Sequence, residues 1–358
     1  MYLLRRITTS GRFIPEIDGF RFLAIASVFV YHLNALYPGQ AGRLLTIVAQ
    51  HGSYGVQLFF TISGFILGLP FAAYYLTSKT PVSLRKYFLR RLTRLEPPYM
   101  LNILAVFAFG LFISGKLSFA RDSGHLFASL LYLHSAIYGR ESFINTVAWS
   151  LEVEVQFYCL APLLAKVFTL RYRRLAILFS MLAIGGVQAF IQHPPARLAL
   201  SLVWQLQYFL AGFLLADIYL TEWKEKPSKS WYWDIIVALA FVLSFSSTLT
   251  RGTSRLVLPF CTLLLYSAIF QSRVMGAVFR WWPITSFGGM CYTIYLYHDS
   301  IIDVLSRHIG QHHVIVTFTI LSAAVGAFST VHFLLVEKPC MKPEWYKFQN
   351  WRAEHSVP

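Results

Sequence analysis

The sequence predicts an all-α, polytopic integral membrane protein. Apolar runs long enough to cross a bilayer recur along the whole chain, and about ten can be placed. Hydrophobic residues make up 56% of the 358 positions and charged residues only 13%, too little polar surface for a soluble protein of this length. The basic residues are also distributed unevenly between the connecting segments.

The spans are placed at 17–37, 54–76, 97–114, 146–168, 175–192, 199–220, 231–250, 255–272, 284–305 and 314–336. Alternating the sides puts 21 basic residues on one face of the membrane and 8 on the other, with Arg21 and Lys166 inside spans. The richer face is cytoplasmic, which places both termini in the cytoplasm. The net charge of +15 is thereby a topology signal and implies no nucleic-acid partner. The chain reads as a single membrane domain, 1–345, with a short cytoplasmic tail, 346–358. Arg5 and Arg6 precede no short apolar core with a cleavage site, so the first span is expected to be retained. Cys159, Cys261, Cys291 and Cys340 lie apart, with no CxxC spacing, so neither a disulfide framework nor a metal site is expected.

The first span carries Asp18-Gly19-Phe20-Arg21 and, eleven residues after Arg21, His32. At about 100° per residue, Arg21 and His32 fall within about 20° of one face and roughly 16 Å apart along the axis. Taken singly, Arg21 fits a snorkelling arginine and His32 a hydrogen bond between helices. As a pair on one face they point to a polar interior, since lipid is costly for both. An imidazole there suits proton removal from a hydroxyl.

In the second span, Ser63-Gly64 reads as a notch for close helix packing. The segment before the third span holds Arg85, Lys86, Arg90, Arg91 and Arg94, with Arg91 and Arg94 on one face at i, i+3. It suits a topology signal or anionic lipid, and equally a clamp for phosphate oxygens. Pro97-Pro98 is expected to end that helix and begin the span. The connection 115–145 contains an apolar run from His125 to Tyr138 that is too short to span, so an interfacial or re-entrant helix is expected.

The fourth span begins Trp149-Ser150-Leu151-Glu152-Val153-Glu154. Its two carboxylates point about 200° apart, while Glu154 shares a face with Tyr158. Glu154 is expected roughly 12 Å below the outer end, a depth similar to that of His32, where it would orient an imidazole or pair with an arginine. His298 and Asp299 approach the outer end of the ninth span, and Glu337 follows the tenth. Trp149, Trp231, Trp233, Trp281 and Trp282 lie near span ends, as in an aromatic belt. Asp217 and Asp234 lie close to cytoplasmic span ends and need no special role.

Together these stretches resemble the acyltransferase 3 family of multi-spanning membrane O-acyltransferases. The matching elements are the DGFR segment with His32, FFTISGF, the Arg91/Arg94 pair, WSLEVEVQFY, YTIYLYH and the late EKP, in the family's order over roughly residues 15 to 340. The family glutamate falls five residues after the tryptophan and selects Glu154; Glu152 stands where the family commonly has an uncharged residue. The resemblance implies the stand-alone form, without an esterase-like domain. It implies an acyl-CoA donor, usually acetyl-CoA, and a hydroxyl acceptor on a glycan, a lipid-linked saccharide or a small molecule such as a macrolide, in the bacterial cytoplasmic membrane. The expected roles are His32, Glu154 and Arg21 in acyl transfer, with Arg21, Arg90, Arg91 and Arg94 on the CoA phosphates. A proton-coupled transporter would also use intramembrane Arg, His and Glu, but no internal repeat of the kind such folds carry is visible. A receptor-like bundle would tolerate substitution of His32.

Overall fold

The computed structural model describes residues 4–7, 13–38, 40, 43–191, 193–223, 229–245, 251–309, 314–342 and 345; the expected tail, 346–358, lies outside them. Among the described residues the architecture is helical throughout, with no strand and a single bridge between Ser230 and Ser272. In chain order the helices are α1 (Pro15–Leu36), α2 (Arg43–Gln50), α3 (Gly55–Thr77), α4 (Leu84–Phe112), α5 (Phe119–Leu130), α6 (His134–Tyr138), α7 (Trp149–Leu164), α8 (Arg173–Phe190) and α9 (Ala196–Ala199). They continue with α10 (Leu202–Thr221), α11 (Tyr232–Phe245), α12 (Arg251–Gln271), α13 (Val274–Phe279), α14 (Trp282–Gly289), α15 (Cys291–Ser306), α16 (Val314–His332) and α17 (Lys338–Cys340).

Among the described residues seven helical segments are long and apolar enough to cross a membrane: Pro15–Leu36, Gly52–Thr77, Leu84–Phe112, Arg173–Phe190, Ala196–Thr221, Gly252–Gln271 and Val314–Cys340. The other three expected spans are built differently. Tyr232–Phe245 is apolar but shorter. Residues 146–168 form the 16-residue α7 between two 3₁₀ turns, Thr146–Ala148 and Ala165–Thr169. The span expected at 284–305 is broken at Met290 into α14 and α15. The break lets the end of α14 lie directly on α1: a Cβ on Gly288 would fall 1.7 Å from the Asp18 carbonyl oxygen.

Pro97 and Pro98 do not end a helix, contrary to expectation; α4 runs unbroken through both. A proline at position 97 leaves the Thr93 carbonyl without its helical donor. The indole N–H of Trp345 supplies one at 3.0 Å, and the Tyr292 hydroxyl donates to the Leu95 carbonyl at 2.8 Å. A donor from another segment thus serves one of the two carbonyls that the prolines free, as neighbouring groups do within membrane spans. The run 125–138 is likewise two short helices, α5 and α6, separated near Tyr132 with φ +56°. Trp231, Trp281 and Trp282 are exposed as a belt requires, whereas Trp149 packs edge-on against Phe60.

The core is centred on α3 and α10. A Cβ on Gly64 would lie 2.2 Å from the Phe209 carbonyl oxygen, and one on Gly212 2.3 Å from that of Thr61. Small residues at both positions let the two backbones touch. Phe157 of α7 stacks on Phe209 at 4.0 Å and closes the third side. The start of α3 sits beside the middle of α1: Gly55 packs on Ala24, and Gly52 on Ser27 and Tyr31. His32 therefore projects beyond the beginning of α3, while Arg21 lies deep in the bundle.

Candidate active site

Two polar clusters mark the two ends of α1. At the C-terminal end, His32 Nδ1 lies 3.1 Å from Asp299 Oδ1. The Thr146 hydroxyl donates to the other carboxylate oxygen at 2.6 Å, so Asp299 is held between α1 and the start of α7. A ring nitrogen facing a carboxylate carries the hydrogen, so in the neutral ring the lone pair sits on His32 Nε2. The His32 and Asp299 side chains keep 24% and 31% exposure, enough for a substrate to reach them.

His298 stands against this pair, its ring centroid 4.9 Å from that of His32 and the two planes nearly perpendicular at 82°. Its Nδ1 faces the carbonyl oxygens of Tyr295 at 2.8 Å and Ile294 at 3.1 Å, within its own helix. Those acceptors require a hydrogen on Nδ1, so Nε2 holds a lone pair. That atom is buried and has no hydrogen-bond partner.

At the N-terminal end of α1, on the inner side of the bundle, Asp18 Oδ1 accepts from Arg6 Nε at 2.6 Å and from Arg21 Nη1 at 3.0 Å. Arg21 is a buried ion-pair member in the bundle and no snorkelling arginine. Arg91 and Arg94 of α4 approach the same region. The Arg91 guanidinium lies over the Tyr87 ring at 3.8 Å and donates from Nη1 to the Tyr87 carbonyl at 2.8 Å. Arg94 is within electrostatic reach of Arg6, Tyr158 and Glu337. The Nε–H groups of both Arg91 and Arg94 are buried and unpartnered. Burying a charged donor without an acceptor is costly. Arg90 points elsewhere: it is exposed, one residue and about 100° around the helix from Arg91. It therefore lies apart from Arg91 and Arg94, outside the buried cluster.

Glu154 belongs to the inner cluster and not to His32. Its Oε1 accepts from the Ser63 hydroxyl at 2.5 Å, with Tyr158 as a further partner and Arg21 and Arg91 in electrostatic reach. The expected equal depth of Glu154 and His32 fails because span ends are not level: His32 shares Asp299 with Thr146, at the very start of the fourth span, whereas Glu154 lies two turns further along. The Ser63-Gly64 notch is accordingly half right, since Gly64 packs and Ser63 binds Glu154. Glu152 turns the opposite way, as the 200° separation requires; it is buried, and its Oε2 accepts the Ser135 N–H at 2.8 Å at the start of α6. Glu337 closes the inner cluster from a π-helical stretch, Phe333–Glu337, and accepts from the Thr293 hydroxyl at 2.6 Å. The other acidic span-end residues are structural. Asp217 holds Arg173 and Arg174, and Asp234 accepts the Met275 N–H at 2.7 Å at the start of α13.

Sequence reasoning missed two partners, Asp18 and Asp299. Asp18 sits three residues before Arg21, a spacing that by itself predicts a helical ion pair. No comparable signal joins Asp299 to His32, which are distant in sequence. Among the described residues no group of three or more His, Cys, Asp or Glu side chains has the geometry of a metal site.

A cationic cluster and a carboxylate-facing histidine thus stand at opposite ends of α1. The chain belongs to the acyltransferase 3 family: the family's acyltransferase domain matches residues 14–335. Among its relatives are the O-acetyltransferase OatA of Staphylococcus aureus, 25% identical over 95% of this chain and 59% of its own length, and the putative peptidoglycan O-acetyltransferase YrhL of Bacillus subtilis, 25% identical over 98% of this chain and 58% of its own. The chain thus spans about three fifths of the length of the relatives it matches. No solved structure matches.

Proposed function

We propose that the protein is a membrane-embedded O-acyltransferase of the bacterial cytoplasmic membrane. It takes an acyl group, acetyl in the first instance, from cytoplasmic acyl-CoA and delivers it to a hydroxyl of a glycan or lipid-linked saccharide. The observation that carries this reading is the pair of buried, unpartnered Nε–H groups on Arg91 and Arg94. Guanidinium forks match phosphate oxygens, and the CoA end of the donor carries several. Arg6 and Arg21, joined through Asp18, add positive charge beside them. From this cradle the pantetheine arm extends along α1, where Arg21 and His32 are roughly 16 Å apart.

At the far end His32 Nε2 takes the proton of the acceptor hydroxyl. The hydroxyl oxygen attacks the thioester carbonyl carbon, the C–S bond breaks, and CoA leaves as its thiolate. Asp299 keeps the hydrogen on Nδ1 and stabilises the imidazolium that forms, the role a carboxylate plays behind a catalytic histidine. Glu154, held by Ser63, balances the arginine charge at the inner end. The relatives' names, O-acetyltransferase and peptidoglycan O-acetyltransferase, support acetyl as the group and a cell-envelope glycan as the acceptor.

Incubating membranes that contain the protein with acetyl-labelled acetyl-CoA tests this reading. The expected result is label in an envelope glycan, identified by mass spectrometry, and none with a His32→Ala protein. Labelled CoA consumption without any O-acetylated product would contradict it.

A further inference from the structure

A second polar hollow lies outside the two clusters, among the starting ends of α3, α10 and α12 and the last turns of α8. It encloses about 200 Å³ and is lined by Tyr54, Gln57, Gln188, Trp204, Gln205 and Tyr208, with Ser254, Arg255 and Leu258 behind them. The Oε1 atom of Gln57 is buried and has no hydrogen-bond partner. We infer that this hollow binds one neutral sugar ring of the acceptor, a subsite beside the acyl-transfer centre. The inference rests on the reading of the protein as a glycan O-acyltransferase.

The chemistry of the walls selects the ligand. No carboxylate lines the hollow and Arg255 adds positive charge to its wall, so it disfavours a cation. The guanidinium of Arg255 donates to the carbonyl of Gln188 at 3.1 Å and to that of Ile191, and lies over the Trp204 ring at 5.1 Å, so it is built into the wall. What the walls present is carboxamide and phenol, groups that donate and accept at once. Sugar hydroxyls do the same, and the aromatic walls suit the C–H faces of a pyranose. The volume is several times that of a water molecule and below the range of drug-sized pockets. That is the size of a single ring.

The walls are also fixed in advance. Gln188 Nε2 donates to the Trp204 carbonyl at 2.7 Å, while its Oε1 accepts from Gln207 Nε2 at 3.0 Å. Gln207 is held in turn by the Arg255 carbonyl at 3.2 Å. Gly185 leaves room for this layer, since a Cβ there would sit 3.0 Å from Gln207 Oε1. Buried glutamines are expensive within a membrane bundle, and an ordered layer of them supporting an open hollow is the arrangement of a preformed binding wall. The position fits an acceptor site. The turn Gly52–Tyr54, which brings Tyr54 to the hollow, packs through Gly52 on Ser27 and Tyr31 of α1, next to His32.

The test uses the full chain in nanodiscs, acetyl-CoA, and a soluble oligosaccharide cut from the glycan that takes label in the membrane experiment. Gln57→Leu removes the unpartnered carboxamide, and Tyr54→Phe removes a hydroxyl with no change of shape. The KM for the oligosaccharide should rise about five- to tenfold in each, the cost of one lost hydrogen bond, while the KM for acetyl-CoA stays at the wild-type value. A merely structural role would move both constants or the melting temperature. Unchanged oligosaccharide KM in both variants, with transfer by the wild type intact, overturns the subsite alone. If no glycan takes label from the wild type, the functional reading falls and the subsite with it.

Discussion

Replacing His32 by alanine should lower acyl transfer by about a thousandfold, within the range that a positioned general base contributes. The variant should still bind acetyl-CoA, because the arginine cradle lies roughly 16 Å away along the helix. Asp299→Asn should cost about a hundredfold or more for a different reason. A carboxamide that presents its N–H₂ to the ring makes Nδ1 an acceptor and moves the hydrogen to Nε2, where the lone pair is needed. Thr146→Val, which frees one oxygen of Asp299, should have a smaller effect in the same direction. Initial rates with labelled acetyl-CoA, and binding of acetyl-CoA measured separately, check all three. Full transfer by folded His32→Ala protein would remove this residue from the chemistry.

The second large effect is expected at the donor end. Arg91→Ala/Arg94→Ala should weaken acetyl-CoA binding more than about a hundredfold, because hydrogen bonds between charged groups are worth about 1.5–3 kcal/mol each. Arg90→Ala should bind as the wild type does, since that side chain is exposed on another face of α4. Lysine at positions 91 and 94 should restore little, as a point charge lacks the fork that grips two oxygens. Isothermal titration of the nanodisc protein with CoA and with dephospho-CoA measures these differences and shows which phosphate the pair holds.

Much of the fold was legible because lipid imposes a simple rule on composition, and the spans that follow it alone, such as Val314–Cys340, were placed well. The errors fall where tertiary partners override local signals. Pro97 and Pro98 looked like a helix end because nothing nearby in sequence announces that Trp345 will serve the Thr93 carbonyl that Pro97 frees. Met290 looked like the interior of a span because the reason for the break, backbone contact between Gly288 and Asp18, joins residues far apart. The site divides in the same way. Arg21, His32, Arg91 and Arg94 stood out as charges or imidazoles where apolar residues were expected. The partner of His32 did not, and depth estimates measured from span ends assigned it Glu154 in place of Asp299. Ends of neighbouring helices need not be level, and α3 begins beside the middle of α1. Glu152 and Glu154 were separable in principle by their 200° divergence, yet only the packing of α6 and α3 decides which of them faces inward.

The central claim is that one donor molecule reaches from the arginine cradle to His32. A CoA thioester with a photoreactive diazirine in its acyl group, bound to the nanodisc protein and irradiated, tests it directly. After digestion, label should appear in the peptides that contain His32 and Asp299, and it should vanish in the Arg91→Ala/Arg94→Ala protein. Label confined to the segment around Arg91, or label at His32 that persists without the two arginines, would contradict the account.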